Sequence, residues 1–260
     1  MDLGLKDKVV LITGSSRGIG RATAAAFLAE GAEVILTGRS QERLAQVVLE
    51  LQRLSPTAAR AHCFSGDLTQ PSVRQELFEW IESTLGGRLD VLVNNLGGSA
   101  GGGIDQTTDE EWERTFQLNF WSALDLTRRA LPLLRRRGGG AIIFIASIWG
   151  RESGGKLAYN AAKAATISLS KNLARELAAE NIRVNCVAPG SILFPGGSWD
   201  ERRRQDPEGI ERFVRSEIPS GRFGRPEEVA DCVVFLASER ASWVRGACLP
   251  VDGAQGRSNI

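Results

Sequence analysis

Features typical of metal-binding or disulfide-linked proteins are scarce in this sequence. The chain has 260 residues but only four cysteines and one histidine. The cysteines are far apart, so they show neither the paired spacing of a metal site nor the dense pattern of a disulfide framework. We therefore expect no bound metal and no disulfide among Cys63, Cys186, Cys232 and Cys248.

Long apolar segments and an excess of one charge are also missing. The segment Met1–Asp7 has no long apolar stretch, so no signal peptide is expected. The longest apolar runs, such as Ala141–Ala146, are much too short to cross a bilayer. The formal net charge is +1 and both signs are interspersed, a balance that indicates neither a nucleic-acid nor a membrane surface. The sequence therefore predicts a cytoplasmic protein with no nucleic-acid or membrane partner.

The sequence does contain a repeated alternation of short apolar runs and longer amphipathic segments. The runs are rich in β-branched residues and lack a strict two-residue alternation, which is typical of strands buried on both faces of a parallel sheet. Five runs are clear and two are weaker: Val9–Ile12, Val34–Leu36, Val91–Val93, Ile142–Ile145 and Val184–Val187, then Ala61–Phe64 and Ala247–Val251.

The segments between these runs have the capping residues and periodicity of helices. This βαβ order predicts an α/β fold with a doubly wound, Rossmann-type parallel sheet and helices on both faces. No shift in composition marks a second domain, so residues 1–260 are expected to form a single one. The predicted helices are Ile19–Glu30, Ser40 to about Leu54, Ser72–Leu85 preceded by Pro71, Asp109–Arg137, Leu157–Glu180 and Pro226–Ala237.

A glycine-rich segment, Thr13–Gly20, joins the first strand to the first helix. Glycines at this place let the backbone approach a pyrophosphate, whose charge is stabilised by the helix N-terminus. The spacing does not match the common G-x-G-x-x-G fingerprint, and a tight strand–helix turn is the alternative interpretation. The candidate cofactor contacts in this segment are Gly14, Ser16, Arg17, Gly18, Ile19 and Gly20.

The end of the second strand lacks the acidic residue that would hydrogen-bond a ribose 2′-hydroxyl about 20 positions beyond the glycines. Gly38 and Arg39 stand there instead, and Arg17 lies inside the glycine segment. Two guanidinium groups are suited to bind a 2′-phosphate. The alternative is that both arginines are merely solvated surface residues.

Tyr159 and Lys163 are four positions apart in a predicted helix and therefore share a face. Tyr159 is the only tyrosine of the chain. A neighbouring ammonium is expected to lower the pKa of its phenol, which makes the phenol a candidate proton donor and acceptor. An ordinary pair on a helix surface has the same spacing.

Ser147 follows the predicted strand Ile142–Ile145. Ligands of open α/β sheets bind at the carboxyl ends of strands. A hydroxyl at this place is suited to donate a hydrogen bond to a carbonyl oxygen that gains negative charge. A serine that caps a turn or a helix is the alternative.

Taken in order along the chain, these motifs resemble the short-chain dehydrogenase/reductase family, and most of all its 3-oxoacyl-carrier-protein reductase-like members. The likeness runs from about Leu5 to Ser258, and its specificity comes from the combination of individually weak motifs. The matching segments are Thr13–Gly20, Asp67-Leu68, Asn94–Gly97, Asn119, Ser147, Tyr159 with Lys163, Pro189-Gly190, Arg225–Glu228 and Val251–Gly253.

The resemblance implies a catalytic tetrad of Asn119, Ser147, Tyr159 and Lys163. It implies that Tyr159 is the general acid/base, that Ser147 orients the substrate oxygen, and that Lys163 holds the nicotinamide ribose and tunes Tyr159. Asn119 would organise a water in a proton relay. The family further implies a sheet of seven strands, a homotetramer, and cofactor contacts at Asp67, Leu68, Asn95, Tyr159, Lys163, Pro189, Gly190 and Ile192.

Three residues depart from the family pattern. Leu96 replaces the usual alanine of an Asn-Asn-Ala-Gly motif, which is expected to change packing and leave the chemistry intact. Ala254 replaces a common glycine near the C-terminus. Phe194 stands where many members carry a threonine that contacts the nicotinamide carboxamide, so this local contact is expected to differ.

The sequence and the resemblance together predict an NADP(H)-dependent reductase of a small-molecule ketone or 3-oxoacyl-type carbonyl. An NAD-dependent alcohol or sugar dehydrogenase of the same family and a catalytically silent cofactor-binding protein are the alternatives. Residues 191–221 are expected to form a lid over the nicotinamide. Trp149 and Trp199 are expected to help form an apolar pocket that prefers apolar or acyl-type ketones; in the alternative interpretation, Phe194 and Trp199 only pack the lid onto the body.

Overall fold

Seven parallel strands form the centre of the chain in a computed structural model, which describes residues 2–55, 57 and 59–259. The strands are β1 (Val9–Ile12), β2 (Glu33–Gly38), β3 (Ala61–Ser65), β4 (Val91–Asn94), β5 (Gly140–Ile145), β6 (Ile182–Pro189) and β7 (Cys248–Val251). They lie side by side in the order β3-β2-β1-β4-β5-β6-β7, and every neighbouring pair is parallel.

All seven predicted strands are present, and β1 has the predicted bounds. Each residue of β1, β4 and β6 is buried, because helices cover both faces of the sheet, and this burial explains the continuous apolar runs. The prediction of a doubly wound, seven-stranded sheet in a single domain is confirmed.

The described residues form nine α-helices. On one face of the sheet, α1, α2 and α9 share a core with the strands, and on the other face α3, α5 and α6 do so. The helices are α1 (Gly18–Ala29), α2 (Gln41–Leu54), α3 (Pro71–Leu85), α4 (Asp109–Phe116), α5 (Ser122–Arg136), α6 (Leu157–Glu176), α7 (Ser198–Gln205), α8 (Pro207–Glu217) and α9 (Pro226–Ala237).

Two helical predictions differ from the structure in detail. The predicted helix Asp109–Arg137 is divided by a π-helical turn, Gln117–Trp121, into α4 and α5. The helix predicted to reach Glu180 ends at Glu176, and a short 3-10 turn follows it. The segment 191–221, for which no helix was predicted, contains α7 and α8.

The strand order reverses direction between β1 and β4. From β1 the chain adds β2 and β3 on one side of β1, and it then returns to add β4 on the other side. In open α/β sheets, ligands bind in the crevice outside the carboxyl ends of the strands at such a reversal. The glycine segment follows β1, and Asn95–Ser99 follows β4. The topology therefore brings these two loops to the same place.

Ala254 adopts a left-handed backbone conformation, with φ of +65°. Asp252 holds the turn that contains Ala254: its two carboxylate oxygens accept hydrogen bonds from the backbone N–H groups of Ala254 and Gly256. A side chain in this conformation is sterically disfavoured, so glycine would be favoured at this position.

We expect Ala254→Gly to stabilise the protein by about 0.5–1 kcal/mol, because relief of the left-handed strain outweighs the entropy that glycine adds to the unfolded chain. Urea unfolding would measure the difference. The control is Ala178→Gly, since Ala178 is also exposed but its φ is not positive, and this change should be destabilising. Equal effects at both positions would contradict the interpretation.

Candidate active site

A groove of about 670 Å³ runs along the carboxyl ends of the strands. Its walls contain fifteen of the seventeen candidate site residues. The other two do not line the groove: Gly18 is covered by the Phe194 ring, and Asn119 is buried behind the wall. The candidates that line the groove are Gly14, Ser16, Arg17, Ile19, Gly20, Arg39, Asp67, Leu68, Asn95, Ser147, Tyr159, Lys163, Pro189, Gly190 and Ile192.

The glycine segment has the geometry of a phosphate-binding loop. Gly14 and Gly18 have φ of +63° and +56°, which disfavour any other residue. A Cβ on Gly20 would lie 2.6 Å from the Asn95 amide nitrogen and 2.7 Å from the Gly14 carbonyl, so only glycine fits. No side chain caps the N-terminus of α1, and its free N–H groups are available to an anion. These residues fit a cofactor pyrophosphate.

Asn95 braces this loop from the neighbouring strand end. Its side-chain amide donates hydrogen bonds to the carbonyls of Thr13 (2.8 Å) and Gly14 (3.0 Å). It therefore fixes the loop after β1 against the loop after β4, in addition to facing the groove.

Phe194 lies over the start of α1. A Cβ on Gly18 would be 2.7 Å from its ring, and a Cβ on Gly197 would be 2.8 Å from it. The phenyl ring thus packs between the glycine segment and the segment 191–221. This packing accounts for the absence of Gly18 from the residues that line the groove.

The groove end near β2 and β3 is lined by Asp67, Leu68 and Thr69. The Asp67 carboxylate accepts hydrogen bonds from the N–H and the hydroxyl of Thr69. The Gln117 side chain donates to the Thr69 carbonyl at 2.9 Å. Gln117 was not predicted as a site residue, because its hydrogen-bonding partner Thr69 is 48 positions away in the sequence.

Ser147, Tyr159 and Lys163 converge at the edge of the groove. Ser147 follows β5, and its hydroxyl accepts a hydrogen bond from the Trp149 N–H at 3.2 Å, so it also begins a short turn. The Lys163 ammonium lies 5.5 Å from the centre of the Tyr159 ring and donates to the Ile145 carbonyl at 2.7 Å. Lys163 is only 3% exposed, which rules out the alternative of a surface pair.

The pKa of Tyr159 is raised, and the expectation that it is lowered is wrong for this structure. Burial disfavours the phenolate and is the larger effect, while the Ser147 hydroxyl acts in the opposite direction. The ammonium of Lys163 is directed at the Ile145 carbonyl instead of the phenol oxygen. The phenol therefore keeps its proton at neutral pH.

Burial also disfavours the charged form of Lys163 and lowers its pKa to about 8. The ammonium is present below this pH and is lost above it. If catalysis requires the cation, kcat/KM should be constant from about pH 6 to 7 and fall by about tenfold per pH unit well above pH 8. Steady-state kinetics of kcat/KM against pH would test this. A profile that rises through pH 8 would contradict it.

Asn119 lies behind the groove wall in the π-helical turn and is 2% exposed. Its amide donates to the carbonyls of Gly98 (2.7 Å) and Thr115 (2.8 Å). A Cβ on Gly97 would lie 2.9 Å from the Asn119 side-chain oxygen and 3.3 Å from the Lys163 nitrogen. A side chain at position 97 would therefore collide with the Asn119 oxygen and crowd the Lys163 nitrogen.

One wall of the groove contains apolar residues of the segment 191–221. Trp199 belongs to this wall, and its ring also stacks on Phe213 at 4.6 Å and packs on Phe223 at 5.2 Å. Trp199 thus both faces the groove and anchors α7 to α8. Apolar residues that line the groove include Leu96, Leu118, Ile192, Phe194 and Trp199, and polar residues that line it include Ser99, Arg114, Gln117 and Ser198.

The prediction that Trp149 forms a pocket wall is wrong. Its ring packs against Gly154 and Gly155, where added Cβ atoms would lie 2.1 Å and 2.9 Å from it. Trp149 is not among the residues that line the groove. Its contact shapes the loop between Ser147 and Tyr159 from behind.

Two further observations concern the described part of the chain alone. None of its helices has the length and apolar character needed to cross a membrane. Within the same residues, no group of three or more His, Cys, Asp or Glu side chains is placed to hold a metal ion.

Residues 14–254 match the family model described as enoyl-(acyl carrier protein) reductase. The 3-oxoacyl-[acyl-carrier-protein] reductase of Thermotoga maritima is 36% identical, over 96% of this chain and 98% of its own. The L-sorbose reductase of Gluconobacter frateurii was solved with NADPH and L-sorbose. It is 37% identical over 99% of this chain and 100% of its own chain, with a TM-score of 0.92. A 7α-hydroxysteroid dehydrogenase solved with NADH is 32% identical over 99% of this chain and 97% of its own chain, with a TM-score of 0.89.

Proposed function

The chain belongs to the short-chain dehydrogenase/reductase family, and from this we propose that it reduces a ketone or 3-oxoacyl-type carbonyl to an alcohol with NADPH. Its relatives are named as reductases and dehydrogenases, so the protein is an NAD(P)-dependent oxidoreductase. The observation that carries the proposal is the convergence of Ser147, Tyr159 and Lys163 beside a glycine loop on one groove.

The proposed chemistry assigns one step to each of these residues. When bound in this groove, a reduced nicotinamide would supply the hydride for the carbonyl carbon. Ser147 donates a hydrogen bond to the carbonyl oxygen, and Tyr159 donates its proton to that oxygen. The raised pKa of Tyr159 suits this direction, since the phenol is protonated before the reaction. The Lys163 ammonium then stabilises the phenolate, and the buried Asn119 holds the backbone beside it.

The preference for NADP(H) rests on the end of β2. The strand ends at Gly38 without an acidic residue at its end, and the next residue, Arg39, lines the groove there. A 2′-phosphate would gain charge-assisted hydrogen bonds, whereas the 2′-hydroxyl of NAD(H) would lack its usual carboxylate partner. NADPH is therefore expected to bind at least about tenfold more tightly than NADH, which corresponds to about 1.4 kcal/mol.

The proposed preference for an apolar or acyl-type ketone rests on the apolar side chains that the segment 191–221 contributes to the groove. These side chains offer few hydrogen bonds to sugar hydroxyls, whose burial without hydrogen bonds costs free energy. The segment 191–221 supplies Ile192, Phe194 and Trp199 to the groove wall, and we assign it the role of a substrate lid. The named substrates of the relatives include an acyl chain, a steroid and a sugar, so they do not select among these classes.

The test is to mix the purified protein with NADPH or NADH and a panel of carbonyl compounds, and to follow absorbance at the reduced-nicotinamide band. The panel contains acetoacetyl esters, aryl ketones and free sugars, including L-sorbose. We expect turnover with NADPH and the highest kcat/KM for an ester or aryl ketone. A higher kcat/KM for free sugars would contradict the substrate class, and binding without any turnover would support the silent cofactor-binding protein.

Two further predictions concern the state of the protein in the cell. A homotetramer and a cytoplasmic location stay predictions from the sequence and the family resemblance. Sedimentation of the purified protein would measure the first, and fractionation of the source cells the second.

A further inference from the structure

Residues 252–257 follow β7 and form a C-terminal turn that its own hydrogen bonds close. The Asp252 carboxylate accepts from the backbone N–H groups of Ala254 and Gly256, and the Asp252 carbonyl accepts from the Gln255 N–H at 3.1 Å. Gln255 is only 6% exposed. A polar side chain buried this deeply needs a hydrogen-bonding partner.

The partner of Gln255 is the first residue of the lid. The Gln255 side-chain oxygen accepts a hydrogen bond from the Ser191 N–H at 2.8 Å. Gly190, which lines the groove, lies beside this contact, since a Cβ at position 190 would be 2.8 Å from the same oxygen. The Ser191 carbonyl in turn accepts from the Gly224 N–H at 3.0 Å. Both backbone groups of Ser191 are thus held by residues outside the lid.

The C-terminal turn also holds the other end of the lid. The N–H and the hydroxyl of Ser220 donate to the Gly253 carbonyl at 3.2 Å and 2.7 Å. Arg257 pairs with Glu217, at the end of α8, at 3.4 Å. This ion pair lies at the surface, where such pairs add little to stability. The one turn therefore contacts residues at both ends of the lid.

The hydrogen bond of Gln255 differs from the contacts of Ser220 in its burial. Ser191 is 7% exposed, so water does not readily replace a partner that its N–H has lost. Ser220 is exposed, and water is available to its donors. Removal of an acceptor is more costly where the donor is buried, because the donor is then left unsatisfied. Gln255 is therefore the strongest polar link between the C-terminal turn and the lid.

The helices of the lid are largely exposed. Helix α8 has no buried residue and α7 has one, Asp200. Between the ends of the lid, Phe194 packs on Gly18, and Arg17 donates to the Gly196 carbonyl. A segment with little buried surface opens locally at a low free energy. Contacts at its ends therefore have a large influence on its position.

We propose that Gln255 is a positioning residue for substrate binding, which fixes the start of the lid beside Gly190 and keeps Ile192 and Phe194 on the groove wall. The assignment rests on the proposed role of residues 191–221 as a substrate lid. It gives the C-terminal turn a part in substrate binding, although none of residues 252–257 lines the groove. Loss of the Gln255 acceptor should reduce the fraction of molecules whose lid is in place, which raises the apparent KM for the ketone.

The first experiment measures hydrogen exchange of the protein without cofactor, followed by mass spectrometry of peptic peptides. Gln255→Met keeps a side chain of similar length and removes the acceptor of the Ser191 N–H. Exchange in peptides from residues 191–205 should become about tenfold faster, because loss of one buried hydrogen bond shifts a local opening equilibrium by about that factor. Peptides from β6 should keep the wild-type rate.

Gln52→Met is the matched control, because Gln52 is an exposed glutamine of α2 that does not line the groove. It should change neither set of peptides. Unchanged exchange at residues 191–205 in Gln255→Met would overturn the proposal. Equally fast exchange in β6, or failure of this variant to fold, would also overturn it, since Gln255 would then support the whole fold and not the lid.

The second experiment measures steady-state reduction of the panel compound with the highest kcat/KM, with ethyl acetoacetate as the first probe, at saturating NADPH. Gln255→Met should raise KM about tenfold and keep kcat within about twofold of the wild type. A purely structural role would instead lower kcat at unchanged KM, because fewer molecules would be folded. Gln52→Met should keep both constants.

The two experiments separate this assignment from the proposed function. If the wild type reduces no compound of the panel, the proposed function fails and the role of Gln255 in substrate binding fails with it, whereas the exchange result still shows whether Gln255 holds the segment 191–221. If turnover is present and exchange in the lid becomes faster while KM is unchanged, only the role of Gln255 in substrate binding is overturned.

Discussion

Tyr159→Phe is expected to lower turnover by about 10²–10⁴-fold, the range that general acid–base catalysis contributes. The substitution removes one hydroxyl and keeps the ring, so the packing of α6 beside Lys163 and the shape of the groove should survive. Stopped-flow measurement of a single turnover with saturating NADPH would isolate the chemical step from product release.

The control for this variant is its affinity for NADPH, which should stay within about twofold of the wild type because the ring of residue 159 is kept. Circular dichroism would confirm that the fold is retained. Near-normal turnover in Tyr159→Phe would show that another group delivers the proton, and the assignment would then be wrong.

Lys163→Met is expected to reduce turnover by at least about 10²-fold and to weaken cofactor binding by about tenfold. The cation is lost from beside Tyr159, so the phenolate that forms in the reaction loses its stabilising charge. A donor for the cofactor ribose is lost as well. Methionine is preferable to alanine because position 163 is 3% exposed, and a smaller side chain would leave a cavity.

The matched control is Lys171→Met, on the same helix but at an exposed position where the ammonium donates to the Gly246 carbonyl. It should keep wild-type kinetics. Cofactor affinity and single-turnover rate should be measured for both variants. If Lys163→Met lowers turnover but binds NADPH normally, Lys163 acts on Tyr159 alone, and its assignment as a ribose contact fails.

Much of the fold follows from patterns that are local in the sequence. The seven apolar runs predict the seven strands because strands covered on both faces tolerate few polar residues. Helix α8 was missed although its signal is present: Asp206 caps it, Pro207 opens it, and Ile210, Phe213 and Val214 have helical spacing. Helix α7, Ser198–Gln205, is almost entirely polar, so its sequence offers no apolar face to detect.

The candidate site contains contacts that local sequence patterns do not predict. Motif order predicts that Ser147, Tyr159 and Lys163 come together, because the carboxyl ends of parallel strands meet at one edge. It does not predict that Phe194 packs on Gly18, or that Arg17 binds Gly196, since each contact depends on the path of a distant loop. The raised pKa of Tyr159 likewise comes from the surrounding burial, which spacing along one helix does not reveal.

The proposed acid is the only tyrosine of the chain, so any spectroscopic signal of a tyrosine side chain reports on this residue alone. The ultraviolet difference band of a phenolate can arise from Tyr159 alone, without a label or a substitution. Isotopic labelling of tyrosine would likewise give a single set of ring resonances. The proton that the proposed reaction transfers can therefore be followed in the intact protein as ligands are added one at a time, separately from any measurement of turnover.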